Sequence, residues 1–86
     1  MWFVYILRCA DDSLYIGETG DLDRRLEKHH RGNCIYTSTR RPVALAYSES
    51  FPYRETALKR ERQLKGWTRK KKDALVRGDL AALKKL

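Results

Sequence analysis

The chain has 86 residues, with 19 Lys and Arg against 11 Asp and Glu, which gives a formal net charge of +8 and a pI near 9.8. This length is enough for one small domain, residues 1–86, and excludes a second domain with an activity of its own. A hydrophobic content of 42% excludes the composition of a disordered chain, so we expect a folded domain with a strongly positive surface.

No apolar segment is long enough to span a membrane, because the longest run, Met1 to Leu7, ends at Arg8. The run also lacks the basic leader and the small-residue cleavage site of a signal peptide. We therefore expect a cytoplasmic protein without membrane contact. Cys9 and Cys34 are the only cysteines, too few for a disulfide framework, and we expect both to be free thiols.

The N-terminal segment predicts a β-hairpin. Residues 2–7 are rich in β-branched and aromatic side chains, and residues 14–17 resume this character. Residues 10–13 between them have the composition of a tight turn.

A short amphipathic helix is expected after the hairpin. Asp21 is a suitable N-cap, and Leu22 and Leu26 form an apolar pair four residues apart. The helix should end near Gly32. From Gly32 to Arg41 the chain is polar and basic with no lasting period, which predicts a loop.

The second half of the chain predicts one strand followed by helices. Residues 43–51 alternate as in a half-buried strand, with one face formed by Val43, Leu45, Tyr47, Glu49 and Phe51. Helices are predicted over residues 54–65, from 68 to about 77, and over a short C-terminal segment after Gly78. The order ββα-β-αα predicts an α+β fold with a small, mostly antiparallel three-stranded sheet flanked by helices.

Glu61 occupies an unexpected position on the helix predicted over residues 54–65. At about 100° per residue, it falls near the middle of an apolar arc formed by Ala57, Leu58 and Leu64. Because burying an unpaired carboxylate is costly, Glu61 should meet a cation, a metal or a proton donor, or lie at the rim of a cleft. A structural ion pair with a buried arginine is the alternative.

Arg25 and His29 lie one turn apart on the flank of the apolar stripe of the first helix, so both can point past the core edge toward a common space. Considered alone, His29 can also be a structural residue. Together with an inward Glu61, this flank is a candidate for phosphate chemistry, because Arg binds phosphate oxygens bidentately and a carboxylate can hold a divalent ion.

Tyr5 and Tyr15 lie on the two paired strands, where each can simply cover the core. The loop after Tyr15 and the start of the helix with Arg25 are close in sequence, so we expect the Tyr15 hydroxyl near the same site. Gly17 permits a close approach of the backbone there.

Basic residues concentrate around Trp67 and in the loop before the third strand. They favour a surface that follows phosphates over a merely solvated helix face. The residues expected to contact nucleic acid are Arg40, Arg41, Lys65, Arg69, Lys70, Lys71 and Lys72. We expect salt-dependent binding with little sequence preference, because no base-reading module accompanies them.

These residues resemble the GIY-YIG nuclease superfamily, in particular its small stand-alone bacterial (URI-domain) members. The resemblance covers nearly the whole chain: Tyr15-Ile16-Gly17 matches the second tripeptide in full, and Phe3-Val4-Tyr5 stands in place of the first. The match continues in order through residues 21–26 with His29, residues 36–37, residues 41–43, and residues 54–67 with Glu61.

The resemblance implies a phosphodiesterase that uses a single divalent ion, Mg²⁺ or Mn²⁺, bound by Glu61. The catalytic residues that it implies are Tyr5, Tyr15, Arg25, His29 and Tyr36. Tyr15 would be the general base, with His29 helping to hold it. Arg25 would stabilise the charge that develops on the phosphate, and Tyr36 would assist at the scissile phosphate. An unperturbed phenol has a pKa of about 10, so this base requires nearby positive charge.

We therefore expect a metal-dependent endonuclease that cuts DNA with little sequence specificity, directed by DNA structure in repair or recombination or by a protein partner that supplies specificity. The alternative is a non-catalytic DNA- or RNA-binding protein that retains the nuclease scaffold. Dependence of activity on Glu61 separates these two classes. A third class, a small structural adaptor, predicts no affinity for nucleic acid at low salt.

Overall fold

Strand β1 (Trp2–Arg8) is the centre of a three-stranded sheet. In the computed structural model, which describes all 86 residues, β1 pairs antiparallel with β2 (Leu14–Thr19) on one side and with β3 (Ala44–Phe51) on the other. The tight turn between β1 and β2 includes Asp12 at a φ of 68°, a conformation that Asp tolerates better than most residues. The predicted α+β fold with an antiparallel three-stranded sheet is confirmed.

Helices flank this sheet. Their bounds are α1 Leu22–His30, α2 Ile35–Ser38, α3 Arg54–Lys65, α4 Arg69–Arg77 and α5 Leu80–Lys85. The side chains of Asp21 and Thr68 cap α1 and α4 by accepting backbone N–H hydrogen bonds. Helix α2 lies in the segment predicted as a loop, because its four residues are too few to produce a periodic pattern. None of the helices combines the length and the apolar character needed to cross a membrane.

The two faces of the sheet bury different side chains. One face packs against α3 and α4 through a cluster formed by Val4, Ile6, Ile16, Ala57, Leu64 and Leu75. The other face packs against Leu22 and Leu26 of α1 through Tyr5, Leu7, Cys9 and Val43. Full burial of a Val, Leu or Ile side chain stabilises the fold by about 1.5–3 kcal/mol. Because both faces are covered, residues 4–7 of β1 are all buried.

A β-bulge changes which side chains of the third strand share a face. Ile6 pairs with Tyr47 but Leu7 pairs with Leu45, so Ala46 is an extra residue on β3. The predicted common face for residues 43–51 is therefore wrong. Val43 packs on the α1 side of the sheet, whereas Tyr47 packs on the α3 side.

Candidate active site

Tyr5 lies at the centre of the candidate site. It is on the central strand, and its side chain is fully buried on the α1 side of the sheet. Gly17 is its partner on β2, and a Cβ at position 17 would lie 2.5 Å from the Tyr5 hydroxyl oxygen. A glycine is therefore required opposite Tyr5, because any side chain there would occupy the space of the phenol.

His29 connects Tyr5 to helix α2. The imidazole is fully buried in the last turn of α1, with Nε2 lying 3.0 Å from the Tyr5 hydroxyl oxygen. Its Nδ1 lies 2.7 Å from Oγ1 of Thr37, which is also fully buried. Both ring nitrogens therefore have hydrogen-bond partners, and the three side chains form a continuous chain of hydrogen bonds through β1, α1 and α2.

Burial sets the protonation states of this chain. It lowers the pKa of His29, and the positive charges of Arg25 and His30 lower it further. Burial also raises the pKa of Tyr5 well above its ordinary value; Tyr15 adds to this effect and Arg25 opposes it. At neutral pH His29 is neutral and Tyr5 is protonated. A neutral imidazole has one donor and one acceptor nitrogen, so His29 donates to one hydroxyl and accepts from the other.

Tyr15 and Tyr36 extend the site from the buried centre to the surface. The Tyr15 ring centroid lies 5.1 Å from that of His29, 6.3 Å from that of Tyr5 and 5.4 Å from that of Tyr36. Tyr36 is 40% exposed. These aromatic rings form a continuous row that ends at solvent, so Tyr15 lies between the buried hydrogen-bond chain and the surface.

Tyr15 and Tyr36 line an open cleft of about 180 Å³, which we call the tyrosine cleft. Its other walls include Lys65 at the end of α3 and Lys72 on α4. Two tyrosines and two lysines therefore line one small cavity, together with Leu14 and Ile16. This combination suits an anionic ligand, because phenols donate hydrogen bonds and lysines supply positive charge.

Glu61 is partly buried, with 19% of its side chain exposed, and Oε2 lies 3.4 Å from Nζ of Lys65. It lies beside the fully buried Ala57 and Leu64 of α3 rather than deep in the core. The expected cation partner is present, and it is Lys65 instead of a buried arginine. No hydrogen bond joins Glu61 to Tyr5 or His29.

Arg25 is partly buried and contacts no carboxylate. Its positive charge lowers the pKa of both Tyr5 and His29. The structure therefore brings Tyr5, Tyr15, Arg25 and His29 together and places Tyr36 at the outer end of the same group.

A family model of the GIY-YIG catalytic domain matches residues 1–73, which include all of these side chains and Glu61. The chain belongs to the GIY-YIG family. This confirms the family that the motifs indicated, and its members are of the nuclease type.

Two sets of relatives place the chain among small stand-alone GIY-YIG proteins. UPF0213 proteins of Staphylococcus aureus strains Mu3 and N315 are each 49% identical to it over 76 residues, which is 87% of this chain and 93% of each relative. The solution NMR structure of a UPF0213 protein from Bacillus halodurans is 42% identical, with a TM-score of 0.61. That match covers 92% of this chain and 86% of the other.

GIY-YIG nucleases generally use a divalent metal ion. The residues of this chain fit a site in which a single carboxylate holds the ion. No group of three or more His, Cys, Asp or Glu side chains could enclose a metal. Mg²⁺ is often held by only one or two carboxylates, with waters and substrate phosphates completing the shell. The single, partly buried carboxylate of Glu61 fits this second arrangement.

The predicted nucleic-acid contacts of this GIY-YIG chain divide into two groups. Lys65 and Lys72 line the tyrosine cleft, and Lys70 is exposed. Lys71 lies 5.7 Å from the centroid of a Trp67 ring. Lys65 pairs with Glu61, whereas Lys70, Lys71 and Lys72 make no ion pair.

The three predicted arginines instead make contacts within the protein. Arg40 contacts Asp11 at 3.3 Å and donates to the backbone oxygen of Tyr36 at 2.6 Å. Arg41 donates to the backbone oxygens of Ser38 and His30, each at 3.2 Å. Arg69 pairs with Asp73 at 2.9 Å and with Asp12 at 3.3 Å. Their guanidinium groups have a structural role that a count of charges does not reveal.

Thr37 belongs to the hydrogen-bonded chain of the candidate site but is not among the site residues predicted from the sequence. Its hydroxyl completes the hydrogen bonding of His29, yet it lies in a segment predicted as a loop. The available signal was the pair Tyr36-Thr37 in a polar stretch, where neighbouring side chains on a helical turn point in different directions.

Proposed function

We propose that this GIY-YIG protein is a metal-dependent endonuclease that hydrolyses phosphodiester bonds in DNA with little sequence specificity. The proposal includes one divalent ion, Mg²⁺ or Mn²⁺, and one nuclease module formed by residues 1–86. It also includes a role directed by DNA structure in repair or recombination, with a protein partner that supplies specificity. The observation that carries it is the hydrogen-bonded chain of Tyr5, His29 and Thr37 beside a cleft lined by Tyr15 and two lysines.

Tyr15 is the proposed general base. Tyr5 remains protonated because burial raises its pKa, whereas Tyr15 lines the tyrosine cleft and contacts solvent. Lys65 and Lys72 line the same cleft, where their positive charge would attract the phosphate. Tyr15 would accept a proton from the attacking water molecule while the oxygen of that water forms a bond to phosphorus. The opposite phosphorus–oxygen bond then breaks, and the leaving oxygen takes a proton from solvent.

The other site residues bind and orient the phosphate. Arg25 contributes positive charge where negative charge develops on the phosphate oxygens. Tyr36, at the outer edge of the cleft, donates a hydrogen bond to the scissile phosphate. Glu61 would hold the divalent ion, which when bound neutralises phosphate charge. His29 and Tyr5 fix the wall against which the Tyr15 ring packs.

The test is nicking of a supercoiled plasmid with Mg²⁺ or Mn²⁺. Tyr15→Phe should lower the rate by about 10²–10⁴ because it removes the base. Glu61→Gln should reduce turnover to background while DNA binding persists. Glu55→Gln is the matched control, since Glu55 is an exposed acidic residue on the same helix without an ion pair. Identical trace activity in wild type and all variants would indicate a contaminant and refute the proposal.

A non-catalytic nucleic-acid binder is the second candidate, because Glu61 already has a cation partner in Lys65. This candidate predicts that Glu61→Gln and wild type bind DNA equally and that neither nicks it. Loss of nicking in Glu61→Gln alone would exclude the candidate.

A further inference from the structure

A second cleft lies where β2 passes into α1. Its volume is about 410 Å³, and its walls include Trp2, Gly20, Arg24, Arg25 and Lys28. We call it the Trp2 cleft. Arg25 is the only one of the predicted site residues that lines this cleft. The proposed nuclease function therefore assigns no role to the other residues of the cleft.

The cations of the Trp2 cleft have no carboxylate partner. Arg24, Arg25 and Lys28 make no ion pair within the protein, although arginines elsewhere do, such as Arg60 with Glu49 at 2.8 Å. Arg24 and Lys28 are four residues apart on α1, where like charges destabilise a helix. An anionic ligand would remove this repulsion.

The one carboxylate at the cleft does not neutralise these cations. Asp21 caps α1, and its Oδ1 accepts the backbone N–H of Arg24 at 3.1 Å. Three positive side chains therefore remain against one carboxylate that is already engaged. The cleft has a net positive charge at neutral pH.

The wall opposite these cations is fixed in place. Trp2 packs against the core on the α3 side, and the guanidinium carbon of Arg54 lies 5.2 Å from a ring centroid of its indole. A Cβ at Gly20 would lie 3.1 Å from the indole, so backbone and ring are in close contact. This wall of the cleft is therefore in place before a ligand binds, so a ligand has only the exposed Arg24 and Lys28 side chains to order.

Arg25 connects the Trp2 cleft to the catalytic centre. It lines the cleft, and its charge also acts on Tyr5 and His29. We infer that the Trp2 cleft binds the backbone of the nucleic-acid substrate at two phosphates to one side of the scissile one, through Arg24 and Lys28. This inference rests on the proposed nuclease function. The two clefts lie at opposite ends of β2, one at Leu14 to Ile16 and the other at Thr19, so the substrate would extend along this strand between them.

Backbone binding at this cleft also predicts little sequence preference. Arginine and lysine bind phosphates without regard to base identity, and the Trp2 cleft offers no set of donors and acceptors for base edges. The substrate would then contact the protein beyond the catalytic site. A substrate that ends at the scissile phosphate would lose the contacts with Arg24 and Lys28.

The test compares an Arg24→Gln/Lys28→Gln variant with a Lys84→Gln/Lys85→Gln control, which removes the same charge from α5. Binding of a short DNA duplex is measured by fluorescence anisotropy in EDTA, across a range of salt concentrations. The slope of log K against log salt should fall by about 1.8 for the cleft variant, at about 0.9 per phosphate contact. The control should change the slope much less. Equal slopes and affinities in the two variants would overturn the inference.

Trp2 supplies a local readout. In a Trp67→Phe background Trp2 is the only tryptophan, and its fluorescence should change when the duplex binds. Inorganic phosphate should cause this change only at far higher concentration. An equal response to both would indicate a site for a free anion and overturn the nucleic-acid assignment.

Cleavage measurements separate this inference from the nuclease proposal. If the cleft variant nicks DNA normally and binds it with unchanged affinity, the Trp2 cleft does not bind the substrate. The nuclease proposal is unaffected by that result. Absence of nicking in wild type, together with a reduced slope in the cleft variant, refutes the nuclease and supports the cleft as a nucleic-acid contact.

Discussion

The hydroxyl oxygen of Tyr5 lies 3.0 Å from Nε2 of His29, although the two residues are 24 positions apart and belong to different elements. This hydrogen bond joins the central strand to the last turn of α1. Because both side chains are fully buried, breaking it would leave polar atoms without water to replace the lost partner. The bond therefore stabilises the fold and fixes the geometry of the site.

Gly17→Ala should destabilise the protein and disrupt the site. The new Cβ would lie 2.5 Å from the Tyr5 hydroxyl oxygen, so the phenol must move away from His29. We expect a loss of about 1–3 kcal/mol in the free energy of unfolding, measured by guanidinium denaturation. Gly66→Ala is the control, because a Cβ there meets no atom closer than 3.5 Å. Equal losses in the two variants would contradict the close packing of Gly17 on Tyr5.

Thr37→Val should remove the hydrogen-bond partner of His29 Nδ1 without changing the volume much. The unsatisfied imidazole nitrogen should cost about 1–3 kcal/mol of stability. Nicking should also slow, because His29 supports the ring of Tyr15. Thr39→Val, at an exposed neighbouring threonine, should change neither the denaturation midpoint nor the nicking rate.

Stability should decrease as the pH falls below about 6.5, the ordinary pKa of histidine. Burial lowers the pKa of His29, so in this range the unfolded chain binds a proton that the folded protein does not bind. The free energy of unfolding therefore decreases with decreasing pH. Denaturation midpoints measured between about pH 7 and pH 5 should show this slope in wild type and in His30→Gln. His29→Gln should have a shallower slope; an unchanged one would assign the effect to other groups.

Lys72→Gln should weaken DNA binding more than Arg69→Gln, although both variants remove one positive charge. Lys72 lines the tyrosine cleft, whereas the Arg69 guanidinium contacts Asp73 and Asp12. We expect the slope of log K against log salt to fall by about 0.9 for Lys72→Gln in a duplex-binding assay. A larger effect of Arg69→Gln would show that its ion pairs open when DNA binds.

The sequence could predict the parts of the site that depend on local geometry. Helical periodicity placed Arg25 and His29 on one flank of α1. It placed Glu61 near the middle of an apolar arc of α3, whereas the structure leaves 19% of this side chain exposed. The predicted hairpin is present as well, although the sequence did not indicate the register that pairs Tyr5 with Gly17. Each of these relationships follows from the repeat of a single helix or from one tight turn.

Other features depended on contacts between distant segments. The bulge at Ala46 inserts one residue into β3, and alternation along a strand cannot indicate where such a residue is. The structural role of Arg41 depends on carbonyl groups of Ser38 and His30, which belong to two different helices. Partners of this kind are set by tertiary packing and leave no periodic signal in the sequence.

Tyr36 and Thr37 are adjacent in α2 but face opposite environments. Tyr36 forms part of the solvent-facing wall of the tyrosine cleft, whereas Thr37 is buried against His29. Any displacement of α2 that lifted Tyr36 out of the cleft wall would therefore also lengthen the hydrogen bond between Thr37 and His29. The width of the tyrosine cleft and the support of the imidazole thus depend on the position of the same four residues.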